Sequence, residues 1–255
     1  MRIVRSLYLI INYKTFLVTA LSLVSTWLCT KYNYKADFPL TLVGIAIVFP
    51  VVFSIDSAYK RRERALMLLA DLEAHLVALN MAAKDWLRNM DNDFLTAYRQ
   101  RLLAVYAAIK DFFLQKENSA EGENKITRAM SKLSQATQQL RDNNLPAGEM
   151  SRVNQYLSKI LIDIENLKTI FYYRTPVTLR SYSRVFIYAF PIIYGPYFVY
   201  IAESFSPGLE YAMPVIFSFI LVSLDNIQVH LENPFDQLGE DDIKFDQEKF
   251  ARLLD

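Results

Sequence analysis

The chain has 255 residues, 53% of them hydrophobic and 14% aromatic, with a formal net charge of +1. Near neutrality excludes the global positive field that recruits nucleic acid. The single cysteine, Cys29, excludes an internal disulfide and reads as a small packed hydrophobe.

The composition is unevenly spread. Four apolar stretches, at 15–30, 38–55, 185–201 and 209–224, form two pairs around a polar middle. A bilayer-crossing helix needs about 20 apolar residues. The second stretch carries no charge. The first becomes long enough if Lys14 snorkels and residues 7–11 join it. The third and fourth are near the lower limit, with Glu210 and Asp225 bounding the fourth. Met1-Arg2-Ile3-Val4-Arg5 has the basic start of a signal peptide, but no small-residue cleavage site follows, so a retained first span is expected. The expected class is all-α: four transmembrane helices in two hairpins, with a large helical insertion between them. The divisions are 1–56 for the first hairpin, 57–183 for the helical domain, 184–228 for the second hairpin and 229–255 for a C-terminal segment.

Charge sets the topology. Arg2, Arg5 and Lys14 precede the first span, Lys60, Arg61, Arg62 and Arg64 follow the second, and Arg174, Arg180 and Arg184 precede the third. The outer connection 203–210 has no Lys or Arg, whereas 31–37 carries Lys31 and Lys35. The positive-inside rule then places both termini and the middle domain in the cytoplasm of a multi-pass plasma (inner) membrane protein. Trp27, Tyr32 and Tyr34 flank the outer end of the first span. Tyr194 is near mid-span, where its hydroxyl calls for protein or a water path rather than lipid.

After the second span, Ala65, Leu69, Leu72, Leu76 and Leu79 recur at spacings of four and three. Neither Pro nor Gly occurs from Asp56 to Met90, so the spanning helix is expected to continue into the cytoplasm. A helix is predicted at 93–115, capped by Asn92 or Asp93, with Leu95, Leu102, Val105, Ile109 and Phe112 on its apolar face. Residues 116–124 read as an exposed loop and 126–140 as an amphipathic helix. A strong helix follows at 149–172, with Val153, Leu157, Ile160, Ile164 and Leu167 on one side, ended by Thr175-Pro176. No β pattern is present. The chain carries no phosphate-binding glycine loop, dinucleotide glycine pattern, Cys-x-x-Cys or His-Glu-x-x-His, so neither an enzyme nor a cofactor is expected. His75, near the buried face of its helix, reads as structural.

Ile45, Phe49 and Phe53 stand at i, i+4 and i+8 and share one helix face over ~12 Å. The residues alone leave this face open to packing against helices, lipid or a pore. Pro50 removes one backbone hydrogen bond and predicts a kink or loosened turn. Lys60, Arg61, Arg62 and Arg64 read either as a positive ring or as positive-inside topology with salt bridges. Asp56 and Asp225, at span ends, are candidates for capping, pairing with an arginine, or lining an ion path.

Three segments resemble the bestrophin channel family. In the first, an apolar helix containing Gly44 runs into Phe53, Ser54 and the Tyr59-Lys60-Arg61 stretch. The second is Phe171-Tyr172-Tyr173-Arg174-Thr175-Pro176, ahead of the third span. The last is Glu232-Asn233-Pro234-Phe235 followed by Gly239-Glu240-Asp241-Asp242. Each is short, but their order and placement match across most of the chain. The tryptophan that commonly follows the arginine in this family is absent.

The resemblance implies a homopentamer with this helix around a central pore, constricted by apolar rings of Ile45, Phe49 and Phe53 that gate by dewetting. Asp56, Lys60 and Arg61 are then ion-path or gate-adjacent. Permeant inorganic ions, chloride among them, the bilayer and other copies of the chain are the implied partners. Glu240, Asp241 and Asp242 stand where the family builds a calcium loop. Asp236, Gln237 and Leu238 interrupt the motif, and Lys244 opposes a hard cation that wants six to eight oxygens, so a solvated acidic loop is the competing reading. The short length points to a prokaryotic type. The reading from another class is a non-conducting scaffold or sensor whose cytoplasmic helices bind a partner.

Overall fold

The structure, a computed structural model, describes residues 11–37, 40–87, 91–114, 120–174, 176–206, 208–237 and 242–255. Among these residues there are nine α-helices and no strand. They are α1 (Tyr13–Lys31), α2 (Leu40–Asp85), α3 (Asn92–Leu114), α4 (Ala120–Asp142), α5 (Ala147–Tyr172), α6 (Val177–Ile193), α7 (Gly195–Phe205), α8 (Leu209–Glu232) and α9 (Gln247–Leu253). The chain divides into two compact units. One holds the described residues up to Arg62 and those from Arg174 to Pro234; the other holds Glu63–Tyr173, Phe235–Gln237 and Asp242–Asp255.

The first unit is built from α1, the first part of α2, α6, α7 and α8. Asn12 opens α1, its Oδ1 accepting from the Lys14 amide at 3.0 Å, while its amide nitrogen donates to Asn226 Oδ1 of α8 at 2.8 Å. α1 packs on α6, α7 and α8. Val18, Ile47, Val51, Ile187, Phe190, Phe198 and Val222 form this unit's apolar core. Polar bonds supplement them: Ser22 Oγ donates to the Pro191 carbonyl, and Ser25 Oγ to the Ile192 carbonyl at 2.7 Å.

Those two bonds explain a departure from the sequence expectation. The third apolar stretch is not one helix but two, α6 and α7, bent by 45° at Tyr194. Pro196 has no N–H, so the carbonyl four residues earlier, Ile192, loses its helical partner and takes the Ser25 hydroxyl instead. Gly195 permits the approach. A Cβ there would stand 2.7 Å from Ser25 Oγ and 3.3 Å from the backbone of Ser25 and Thr26.

By length and composition, two of the described helices suffice to cross a membrane, Gly44–Asp85 and Leu209–Glu232, and a third is added when the bent pair counts as one. The 19-residue α1, with a lysine near each end, is not among them. Tyr194 is buried, consistent with the expectation that it faces protein or a water path rather than lipid.

The second unit is a helical bundle. Ala65, Leu69, Leu72, Leu76 and Leu79 of α2 are buried as their spacing predicts, and so are Leu102, Val105, Ile109 and Phe112 of α3. Burying one such side chain contributes about 1.5–3 kcal/mol. Val153, Leu157, Ile160, Ile164 and Leu167 of α5 join the same core. Tyr98 donates to Thr137 Oγ1 at 3.0 Å, since the Thr137 hydroxyl is itself committed to the Leu133 carbonyl. Burial pushes the Tyr98 phenol up to about 12. Asp91, not Asn92 or Asp93, supplies the side-chain cap of α3, accepting from the Asp93 amide at 3.3 Å.

One other expectation is corrected in part, since residues 116–119 of the expected loop lie outside the described residues. Residues 120–124 are helical, because α4 starts a turn and a half before Ile126, with Glu121 and Glu123 in its first turn, where carboxylates favour a helix N-terminus. Phe235, Ile243, Phe245, Phe250 and Leu254 enter the core of the second unit, with Phe250 stacked on Tyr106 at 4.3 Å and Phe235 stacked on Phe113 at 4.8 Å.

Candidate functional site

α2 has two unlike faces within the first unit. Ile47, Val51, Ser54 and Ala58 are buried. Ile45, Phe49 and Phe53 are 49%, 56% and 59% exposed, and Val48 and Val52 flank them on the same open side. The Phe49 and Phe53 rings lie 6.0 Å apart, tilted by 31°. The helix continues unbroken through Pro50. The chain therefore presents an uncovered apolar stripe along α2, with two large rings in succession at its C-terminal end.

Just beyond the stripe, Asp56 Oδ2 accepts from Lys60 Nζ at 2.7 Å. This i,i+4 pair neutralises one charge of the basic run, so Lys60 is not a bare member of a positive ring. Arg61 is half-buried and lies within electrostatic reach of Glu232 and Arg174.

Asp225 is fully buried. Its Oδ1 accepts from Arg184 Nε at 3.1 Å and its Oδ2 from the Tyr188 hydroxyl at 2.6 Å. One turn earlier on α6, Arg180 Nη1 donates at 2.8 Å to Oε2 of Glu232, two turns beyond Asp225 on α8. Of the roles open to Asp225, pairing with an arginine is the one observed. Sequence reasoning missed Gln228 and Glu232 as its companions. The signal was present: 225, 228 and 232 stand at i, i+3 and i+7, a polar face on an otherwise apolar helix.

Asp242 is buried and has a partner, while Glu240 and Asp241 lie outside the described residues. Ahead of Ile243 the chain turns at Gln237, in a left-handed conformation with φ 59°, and Gln237 Nε2 donates to the Ile243 carbonyl at 2.8 Å. Among the described residues no group of three or more His, Cys, Asp or Glu is arranged to hold a metal ion. His75 is structural as expected: its Nδ1 lies 2.7 Å from Oδ2 of the buried Asp163. Arg2 and Arg5 also lie outside the described residues.

The site thus consists of an apolar stripe on α2, an ion pair at its end and a buried acid–arginine cluster in the same unit. Such parts can shape and electrostatically tune a passage, but they hold no nucleophile–base pair.

No protein-family model and no curated protein matches the chain. Solved structures do match. A bacterial bestrophin homologue from Klebsiella pneumoniae, phased on zinc, superposes with a TM-score of 0.80 at 16% identity over 95% of this chain and 96% of its own. A point mutant of that homologue gives 0.82 at 15% identity over 94% and 95%. A crystal structure described only as a membrane protein mutant gives 0.81 at 16% identity over 95% and 96%. The chain has the fold of these bacterial bestrophin homologues.

Proposed function

We propose that this chain is the subunit of a bestrophin-like ion channel, a homopentamer in the plasma membrane that passes inorganic ions passively. In this reading α1, the apolar part of α2, the bent pair α6–α7 and α8 are the four spans. The second unit and both termini are cytoplasmic. Ile45, Phe49 and Phe53 of each copy meet around the axis as three apolar rings. A narrow apolar tube holds water poorly and blocks ions until it wets.

The observation that carries the reading is the division of α2 into a packed face and an uncovered apolar face, on a fold shared with bestrophin homologues. Phe49 and Phe53 set two aromatic rings 6.0 Å apart along that uncovered face. The Asp56–Lys60 pair sits one turn below, gate-adjacent.

Purified protein in liposomes tests it. The wild type is expected to pass ions above the level of empty liposomes, and Phe49→Ala or Phe53→Ala to raise the flux several-fold by widening and wetting the neck. Flux equal to empty liposomes in all three proteins would favour the non-conducting scaffold. A monomer or dimer in detergent would count against the channel as well.

A further inference from the structure

We propose that the groove between α1 and α6 binds an anionic phospholipid, with the headgroup phosphate on Lys14 and Arg184 and one acyl chain along the apolar wall beyond them. The proposal rests on the reading of this unit as membrane-embedded. The cavity measures about 340 Å³. Lys14 and Arg184 line it together with Leu17, Leu21, Tyr188 and Ile192.

The two helices run side by side in the same direction. Asn12 bonds Asn226 and Arg184 bonds Asp225, which brings the start of α1 and the middle of α6 to adjacent positions on α8. Ser22 and Ser25 bond Pro191 and Ile192 near the other end. Both cations therefore stand at one mouth of the groove. The aliphatic wall extends from them for about 10 Å, the rise from Lys14 to Leu21. A polar, cationic mouth above a greasy slot is the chemistry of a phospholipid: an anion joined to a hydrocarbon chain. A free phosphate has no use for the slot, and a neutral lipid has no use for the charges.

Each cation is suited to the task in a different way. Arg184 is aimed by its Nε bond to the buried Asp225, which leaves its other nitrogens for a second acceptor. Lys14 is half-buried, lines the cavity and has no carboxylate partner among the described residues, and a lysine in such a place can lay its stem along the helix and carry its ammonium to a membrane interface. Leu17 and Leu21 are exposed on the same side, although Val18 between them is buried. The volume accommodates part of one acyl chain, so the second chain lies outside in bulk lipid.

The test uses native mass spectrometry of full-length protein released from vesicles of equal parts phosphatidylglycerol and phosphatidylcholine. The wild type should retain phosphatidylglycerol over phosphatidylcholine by about fivefold, the preference expected of one uncompensated surface cation. Lys14→Gln should remove that preference. Leu21→Trp, which fills the slot and leaves both cations, should lower phosphatidylglycerol retention to a similar degree. Equal retention of the two lipids by the wild type, or unchanged retention in either variant, overturns the proposal. So does a Leu17→Cys dimer formed on oxidation in a Cys29→Ser background, since a second copy would then occupy the groove. Alkaline carbonate extraction of the wild type from membranes separates the two levels of failure. Release by carbonate removes the membrane reading and this site with it, whereas loss of lipid preference in a carbonate-resistant protein removes only the site.

Discussion

Asp225 places a carboxyl group in the interior of the first unit, and its two bonds are what make that tolerable. A buried carboxylate without partners is costly, and so is a buried partner left behind when the carboxylate is removed. Asp225→Asn keeps the shape and one acceptor but leaves the Arg184 guanidinium without a counter-charge. Removing one member of a buried pair costs about 3–5 kcal/mol. Arg184 is about one-third exposed, so water recovers part of that, and about 2 kcal/mol is the expected loss. Thermal denaturation in detergent should show a drop of several degrees. Asp56→Asn is the control. Its bond to Lys60 is an exposed i,i+4 pair worth about 0.3–0.5 kcal/mol, so the transition should barely move. Equal effects of the two substitutions would mean that burial does not govern the Asp225 site.

At the level of elements, the helices of the second unit were legible because each has one period and one face. The stripe from Ala65 to Leu79 has neither Pro nor Gly to interrupt it, and the spacing of Val153 to Leu167 is as regular. The C-terminal contribution was not legible. Phe235, Ile243 and Phe245 sit in irregular chain and α9 has only seven residues, so no period marks them as core. The break between α6 and α7 was legible in principle. Pro191, Gly195 and Pro196 are written into the stretch, but mean apolarity outweighed them in the reading of a single span. The uncovered face of α2 lies between these cases. Periodicity gives the alignment of Ile45, Phe49 and Phe53, whereas which face is packed depends on residues of α1, α6 and α8 far away in sequence.

The α6–α7 break also yields a prediction. Gly195 lets this corner approach α1 closely: a methyl group there would collide with Ser25 Oγ and crowd the backbone of Ser25 and Thr26. Gly195→Ala forces the two apart and stretches the Ser25 and Ser22 bonds that satisfy the loosened carbonyls. Overpacking of this kind costs about 1–3 kcal/mol. The alanine's helix-propensity gain over glycine, about 1 kcal/mol, does not offset it at a helix start. A lower melting temperature for Gly195→Ala than for wild type is the expected result. An unchanged or higher one would show that the corner yields without cost.

For the whole molecule, the open question about α2 is what covers its apolar face. Lipid and a water-filled neck make opposite demands on a charge placed there. Phe49→Asp discriminates between them. If the stripe faces hydrocarbon, an aspartate at mid-span costs about 2.5–3.5 kcal/mol of insertion, and the membrane-integrated fraction falls. If the stripe rims a passage shared by several copies, each carboxylate is hydrated by the water it admits, and insertion is unaffected. The same ring of carboxylates then attracts cations and repels anions. The expected outcome is normal membrane integration, a larger flux than wild type, and a reversal potential shifted toward the cation equilibrium in asymmetric salt. Poor integration with no conductance would place the Ile45–Phe53 face in lipid. The sign of the shift matters more than its size, because Lys60 is already held by Asp56 and offers little positive charge to cancel the new ring.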